Sequence, residues 1–181
     1  MSEKRYVLLD RDGVINHDSD EFIKTPEQWQ AIEGSLEAIA LLNRAGYRVA
    51  VITNQSGLAR GLFDEAMLES IHAKMQQLCS EKGGKIDAIY VCPHGPDCDC
   101  TCRKPKPGLL QAFAAENHVD LKEIAFIGDS LRDIQAAQAA GAKPILVKTG
   151  KGLKTQTDNP ELTIPVFENL YDAAEHLLSG Q

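Results

Sequence analysis

The chain has 181 residues, enough for one domain with a full core. It is 43% hydrophobic and 25% charged, the balance of an ordinary globular protein, and its formal net charge of −7, with no long basic run, argues against a nucleic-acid-binding surface. No apolar stretch approaches the roughly 20 residues that span a bilayer, and Met1-Ser2-Glu3-Lys4-Arg5 lacks the apolar core of a signal peptide, so a cytoplasmic protein without membrane association is expected.

Tyr6-Val7-Leu8-Leu9 reads as a buried strand that stops at Asp10 and Asp12, with Gly13 letting the chain turn away. Residues i and i+2 of an extended chain point the same way, so Asp10 and Asp12 can face one ligand together. Taken alone, the stretch fits two readings: a carboxylate pair around a cation, or a turn of the kind that Asp and Gly often make. His17 to Gln30 is polar and irregular and reads as a loop over the strand end. Gly34-Ser35 opens a helix with Leu36, Ile39, Ala40 and Leu42 at helical spacing and Gly46 as its C-terminal cap. Arg48 to Ile52 is a second strand, ending in the polar loop Thr53-Asn54-Gln55-Ser56-Gly57. Asp64 caps a second helix, Phe63 and Leu68 form a staple, and Met67, Leu68, Ile71, Met75 and Leu78 make a core-facing stripe that ends at Gly83-Gly84. Ile86 to Val91 is a third strand, followed by a cysteine-rich loop, then Arg103-Lys104-Pro105-Lys106-Pro107-Gly108 and a helix carrying Leu109, Leu110 and Phe113. Ile124 to Ile127 is a fourth strand ending at Gly128-Asp129-Ser130. A helix over 131–140 closes at Gly141, and Pro144 to Val147 is a fifth strand. A Gly/Lys-rich loop runs to about Pro160. Ile164 to Phe167 forms a short edge strand, because Pro165 cannot donate to a central ladder, and a last helix covers 170–178.

Strand and helix alternate throughout, which predicts an α/β fold: a Rossmann-like three-layer sandwich with a mainly parallel sheet, as one domain over 1–181. In such sheets ligands bind at the carboxyl ends of the strands, and the polar clusters of this chain fall there. That convergence favours a site over an isolated turn. Asp10, Asp12 and Asp129 offer hard oxygen ligands suited to Mg²⁺, and Lys104 and Thr53 are donors that fit the charge of a transferring phosphoryl group. A carboxylate can act as nucleophile through an aspartyl-phosphate. Neither a Ser-His-Asp set nor a Gly-rich P-loop is visible.

Asp10-Arg11-Asp12-Gly13-Val14, Thr53, Lys104 and Gly128-Asp129 with Asp133 resemble, in order and separation, the four motifs of the haloacid dehalogenase-like (HAD) phosphohydrolases. Thr53 to Gly57 followed by Ala59-Arg60-Gly61, and Cys92-Pro93-His94 followed by Cys100-Thr101-Cys102-Arg103-Lys104-Pro105, resemble the heptose 1,7-bisphosphate phosphatases and the related histidinol-phosphatases. The resemblance implies that Asp10 is the nucleophile, Asp12 the general acid/base, and Thr53 and Lys104 the groups that stabilise the phosphoryl. It also implies Mg²⁺ on Asp10, Asp129 and the backbone carbonyl of Asp12, with Arg103 recognising substrate. Asn54, Gln55 and Ser56 are further substrate-contact candidates. Asp133, one helical turn after Asp129, would orient the metal's surroundings; the alternative is a solvated surface aspartate. Arg60 is a candidate for a second anionic group, against a helix cap or surface ion pair. Asp18, Ser19, Asp20 and Glu21 are candidates for sugar hydroxyls.

Cys92, His94, Cys100 and Cys102 make a closed Cys₃His set suited to structural Zn²⁺, with Cys98 as a spare thiol; in a reducing compartment such crowding points to metal before disulfides. The zinc loop, about 92–102, would shape the segment presenting Arg103 and Lys104. His17, His72, His118 and His176 read as ordinary, with His72 and His176 on the surface of amphipathic helices. The spacing of the motifs leaves no room for a large cap domain. The implied activity is Mg²⁺-dependent removal of the C7 phosphate of D-glycero-D-manno-heptose 1,7-bisphosphate by a monomer acting on a small phosphorylated sugar. Its place would be nucleotide-activated heptose and lipopolysaccharide core precursor synthesis. Histidinol-phosphate phosphatase is the alternative, and a zinc-stabilised binding module without catalysis a more remote one. Arg11, Arg60, Arg103 and Lys106, as cations around the leaving group, lean towards the anionic sugar.

Overall fold

Apolar residues on alternate positions of β1 (Arg5–Leu9) enter two different cores. Val7 and Leu9 pack on one face of the sheet, Tyr6 and Leu8 on the other. A strand buried on both faces belongs inside a parallel sheet covered by helices, and this is what the computed structural model, which describes residues 4–180, contains. The expectation drawn from Met1 to Glu3 lies outside the described residues. The other strands are β2 (Tyr47–Asn54), β3 (Ala88–Cys92), β4 (Ala125–Gly128), β5 (Lys143–Val147) and β6 (Val166–Phe167). They lie in the order β3-β2-β1-β4-β5-β6, all pairs parallel. Helices α1 (Ser35–Arg44), α2 (Glu65–Glu81) and α6 (Leu170–Ser179) cover one face, while α3 (Gly108–Asn117) and α4 (Leu131–Ala140) cover the other.

Several helix boundaries follow local chemistry. Asp64 accepts the Met67 N–H at 2.8 Å and caps α2, and Gly46 and Gly141 take left-handed φ of +89° and +81° at the ends of α1 and α4. The edge strand β6 begins after Pro165, whose carbonyl accepts from Leu146 while its nitrogen has nothing to donate.

Four local expectations need correction. The Gly/Lys-rich segment before Pro160 holds a seven-residue helix, α5 (Gly152–Asp158), whose composition gives no apolar stripe to read. Strand β3 starts at Ala88, two residues later than expected, and β2 extends through Thr53 and Asn54, which pair with Val91 and Cys92. Those two polar residues are therefore held by the sheet ladder and not by a loop. Met67 is exposed: the buried arc of α2 runs through Leu68, Ile71, Met75 and Cys79, and Met67 lies about 100° round the helix from Leu68.

Topology decides where a site can form. The chain steps outward from β1 to β3, returns to β4 beside β1, and steps outward again. The crevice at the carboxyl ends of β1 and β4 is thus the switch point of the sheet.

Candidate active site

Asp10 follows β1 directly, and its backbone N–H still donates to Ile127 of β4 at 2.9 Å. The chain turns at Gly13, at φ +83°, where a side-chain carbon would overlap the Asp129 carboxylate. Glycine is required there for conformation and for space, because the loops after β1 and β4 meet at that point. Thr149 Oγ1 donates to the Gly13 carbonyl at 2.7 Å and Lys151 N donates to Asp129 Oδ2 at 2.9 Å, which ties in the loop after β5.

Lys104 crosses from the cysteine-loop side and is buried. Its ammonium donates to the Ile52 carbonyl at 2.9 Å and to Asp133 Oδ1 at 2.7 Å, and it lies 3.0 Å from Asp10 Oδ1. The backbone of Lys104 is fixed by Asn54, whose Nδ2 donates to the Lys104 carbonyl while its Oδ1 accepts the Lys104 N–H, both at 3.1 Å. One amide on β2 therefore sets the position of the lysine. Asp133 is no surface aspartate. It is buried, and its Oδ2 accepts Asp129 N, Ser130 N and Ser130 Oγ at 3.1, 3.2 and 2.9 Å, capping α4 from within.

The electrostatics follow from this crowding. Burial works against charge on Asp133, but the Lys104 ammonium overrides it and holds Asp133 below the ordinary carboxylate value. Burial and the charge of Asp133 push Asp10 well up, only partly offset by Lys104. Burial and Asp133 likewise push Asp129 up to about 7. Carboxylate oxygens of Asp10, Asp129 and Asp133 lie within 4.8 Å of one another, an accumulation of negative charge that one lysine does not balance.

Asp12 has a different environment. Burial alone would raise it, but the Arg11 guanidinium, with hydrogen bonds from Asn16 and Gln55, holds it below the ordinary value. Arg11 Nε donates to Asp12 Oδ1 at 2.9 Å, Nη2 sits equally close to that oxygen, and Asn16 Nδ2 donates to it at 2.8 Å. Gln55 Nε2 reaches Asp12 Oδ2 at 3.3 Å and donates to Thr53 Oγ1 at 2.8 Å, so Thr53 lies buried beneath Gln55. Arg11 therefore does not face a ligand, as expected of it. It is fully buried, turned onto Asp12, and its Nη1 lies 3.1 Å from Nε2 of His72. His72 is likewise half-buried against this pair instead of lying on the surface, and burial with the adjacent guanidinium depresses it to about 4.

A polar pocket of about 90 Å³ holds Asp10, Asp12, Asn54, Lys104, Asp129 and Asp133. Beside it lies a cleft of about 250 Å³, reached by Asp18, Ser19, Asp20, Gln55, Ser56, Arg60 and Arg103. Glu21 does not line either. Arg132 and Lys151 line both, and neither is part of a recognisable motif: Arg132 arrives on the first turn of α4, Lys151 on the loop after β5. Lys151 Nζ lies 3.4 Å from Asp18 and 3.8 Å from Asp20. Arg60 stacks over the Phe22 ring at 5.5 Å. Arg103 donates to the His94 carbonyl at 3.2 Å, and burial together with the positive charge of Arg132 lowers its pKa, with Arg60 adding to the effect. Lys106 points away from the cleft: its ammonium donates to the Cys100 carbonyl at 2.6 Å.

The cysteine loop brings Cys92, His94, Cys100 and Cys102 together, with all four donor atoms within 4.8 Å of one another. Cys102 Sγ lies 3.0 Å from Cys92 Sγ and 3.3 Å from His94 Nδ1, and Cys92 Sγ lies 4.0 Å from Cys100 Sγ. Burial and hydrogen bonds among the thiols push Cys102 up to about 12. Cys100, against its own burial, is held at about 6 by N–H donors that include the backbone of Arg103. Cys98 is exposed and outside the cluster.

Residues 101–173 match the HAD-hydrolase-like family model. The chain is 51% identical over 175 residues to a D-glycero-beta-D-manno-heptose-1,7-bisphosphate 7-phosphatase of Pseudomonas putida, covering 96% of this chain and 99% of that one. It is 53% identical over 176 residues to the protein of the same description in Bordetella bronchiseptica, covering 96% and 98%. A crystal structure of D,D-heptose 1,7-bisphosphate phosphatase from B. bronchiseptica, complexed with magnesium and phosphate, superposes with a TM-score of 0.95 at 50% identity, covering 98% of this chain and 99% of that one.

Proposed function

The chain belongs to the D-glycero-beta-D-manno-heptose-1,7-bisphosphate 7-phosphatase family of HAD-like hydrolases, and from that premise we propose that it removes the C7 phosphate of D-glycero-D-manno-heptose 1,7-bisphosphate. The observation that carries the choice of substrate is the cleft beside the carboxylates. Arg60, Arg103 and Arg132 line it, and Arg60 and Arg132 both bear on Arg103 as like charges. Such a cluster favours a substrate with a second anionic group over a cationic amino alcohol such as histidinol phosphate.

In the proposed reaction a carboxylate oxygen of Asp10 bonds to phosphorus, the bond from phosphorus to the C7 oxygen breaks, and that oxygen takes a proton from Asp12, which has to gain that proton with substrate bound because Arg11 holds it ionised in the empty site. Asp12 then accepts a proton from water as the water oxygen bonds to phosphorus. The aspartyl bond breaks, phosphate leaves, and Asp10 is regenerated. Lys104 supplies positive charge 3.0 Å from Asp10, and Thr53 a hydroxyl at the same strand ends, to hold the phosphoryl oxygens. Asn54, Gln55 and Ser56 line the cleft as substrate contacts, with the segment from Asp18 to Asp20 opposite.

Mg²⁺ fits this site, because the unbalanced carboxylate cluster asks for a divalent cation and its donors are hard oxygens. Asp10, Asp129 and the Asp12 backbone carbonyl would hold it, with Asp133 orienting Asp129 through its backbone N–H. When bound, the ion supplies charge that keeps Asp10 ionised and offsets that of the phosphoryl group. Structural Zn²⁺ fits the Cys₃His cluster: the sulfur spacings of 3.0 and 4.0 Å bracket the ~3.8 Å edge of a tetrahedral thiolate site. There it braces the loop that carries Arg103 and Lys104. The protein acts as a cytoplasmic monomer of one domain. Comparing kcat/KM on the heptose bisphosphate, the heptose 1-phosphate and histidinol phosphate tests the reading. The bisphosphate is expected to be preferred, with a raised KM in Arg60→Ala and Arg132→Ala. A preference for histidinol phosphate overturns it.

A further inference from the structure

Resting on the reading of Asp12 as the acid/base, we propose that His72 is a positioning residue: through the buried guanidinium of Arg11 it fixes the Asp12 carboxyl with Oδ2 turned towards the leaving group. A guanidinium only donates, so the 3.1 Å approach of Arg11 Nη1 requires a lone pair on His72 Nε2. The ring must therefore be neutral, with its proton on Nδ1. Burial and the neighbouring positive charge of Arg11 favour that neutral form. Among the described residues His72 is the acceptor that the structure offers to Nη1, and Arg11 is 0% exposed, so water cannot take its place.

The other edge of the guanidinium meets Asp12. Nε donates to Oδ1, Asn16 Nδ2 adds a second donor to that oxygen, and Nη2 lies 2.9 Å from it as an ion-pair contact without a hydrogen bond. Oδ1 thus accepts two short bonds beside the guanidinium charge, whereas among the described residues Oδ2 accepts from Gln55 alone, at 3.3 Å, so Oδ2 is the oxygen left to carry the transferred proton. If the His72 lone pair is lost, Nη1 joins Nη2 as a buried nitrogen without a hydrogen-bond partner, and the guanidinium is expected to turn towards a new acceptor, shifting Oδ1 with it. His72 stands on α2 and Asp12 on the loop after β1, so the chain of contacts lets a helix outside the active site set the aim of a catalytic carboxyl. Arg11 reads from sequence as a cation for the ligand, and this use of it was hidden because its partner lies 61 residues away.

The test compares His72→Leu, which removes the acceptor, with His72→Gln, which restores one through its carbonyl. Each variant is assayed on the sugar bisphosphate and on p-nitrophenyl phosphate, whose leaving group departs without a proton. His72→Leu is expected to lose about 10-fold in kcat/KM on the sugar phosphate and less than about 3-fold on the aryl phosphate, a fraction of what general acid catalysis supplies. His72→Gln is expected to recover most of that loss, and melting temperatures show whether each variant is folded. Equal losses on both substrates, no loss in His72→Leu, or no recovery in a folded His72→Gln overturns the proposal. Asp12→Asn, run alongside, tests the reading beneath it. If Asp12→Asn fails to discriminate between the two substrates, the acid/base assignment falls and takes the role of His72 with it. If it discriminates and His72→Leu does not, only the role of His72 falls.

Discussion

Replacing Asp129 with Asn should stabilise the metal-free protein at alkaline pH and remove its response to Mg²⁺. The Asp129 carboxyl is buried and its pKa rises from 3.8 to about 7, driven first by burial and then by Asp133. A raised acid binds more protons folded than unfolded between those values, so stability falls as pH climbs through the window from about 4 to about 7. Three pH units correspond to about 4 kcal/mol of cost once Asp129 is ionised, at about 1.4 kcal/mol per unit. At pH 5 the cost is about 1 to 2 kcal/mol, and below pH 4 it vanishes. Asparagine keeps the shape and can still accept the 2.9 Å bond from Lys151 N through its amide oxygen, so the substitution removes charge with little else. For a protein of this length 1 kcal/mol moves Tm by about 2–4 °C, so Asp129→Asn should melt roughly 10 °C above the parent at pH 8 in chelator. The gap should narrow to a few degrees at pH 5. Added Mg²⁺ should raise the parent and leave the variant unmoved, reversing their order. Scanning calorimetry at pH 5 and pH 8, with chelator and with Mg²⁺, measures all four numbers. A gap that is absent at pH 8, or equal at the two pH values, refutes the charge-crowding argument.

Asp10→Asn should abolish turnover, by about 10³-fold or more, while the protein stays folded; a mass shift of one phosphoryl group, trapped by acid quench in the parent, should be missing. Unchanged turnover in this variant ends the covalent mechanism. Cys100→Ser with Cys102→Ser should lose bound zinc and most activity together, as read by metal analysis and phosphate release, because Arg103 and Lys104 follow those ligands directly. A zinc-free double variant with full activity shows that the loop needs no brace.

Much of this site is legible from the chain because strand ends are marked by abrupt changes in chemistry. Leu8-Leu9 gives way to Asp10 and Ile127 to Gly128-Asp129 where β1 and β4 end, Ile52 gives way to Thr53 in the last residues of β2, and a parallel sheet brings such points to one edge. The cysteine set is legible because its donors lie within eleven residues, from Cys92 to Cys102. Arg132 and Lys151 are not, because nothing in their neighbours distinguishes them from surface cations; they reach the cleft only through the angle at which α4 and the loop after β5 leave the sheet. Arg11 misleads for a related reason. Its place between two aspartates suggests a ligand-facing cation, whereas its side chain is buried against Asp12 and His72. Asp133 reads correctly as sharing a face with Asp129, yet the bond it accepts from Lys104 comes from a residue 29 positions away.

The reciprocal pair between Asn54 and the Lys104 backbone separates two kinds of evolutionary freedom. It anchors the residue that ends the cysteine-loop segment to the sheet, so the stretch between the ligands His94 and Cys100 can change length or sequence without moving the lysine. Lengthening such a loop is cheap, with each doubling costing only about 0.6 kcal/mol. Lys104 is the anchored residue, and Arg103 sits one residue before it. Substrate preference can therefore drift with the loop while the reacting groups stay fixed.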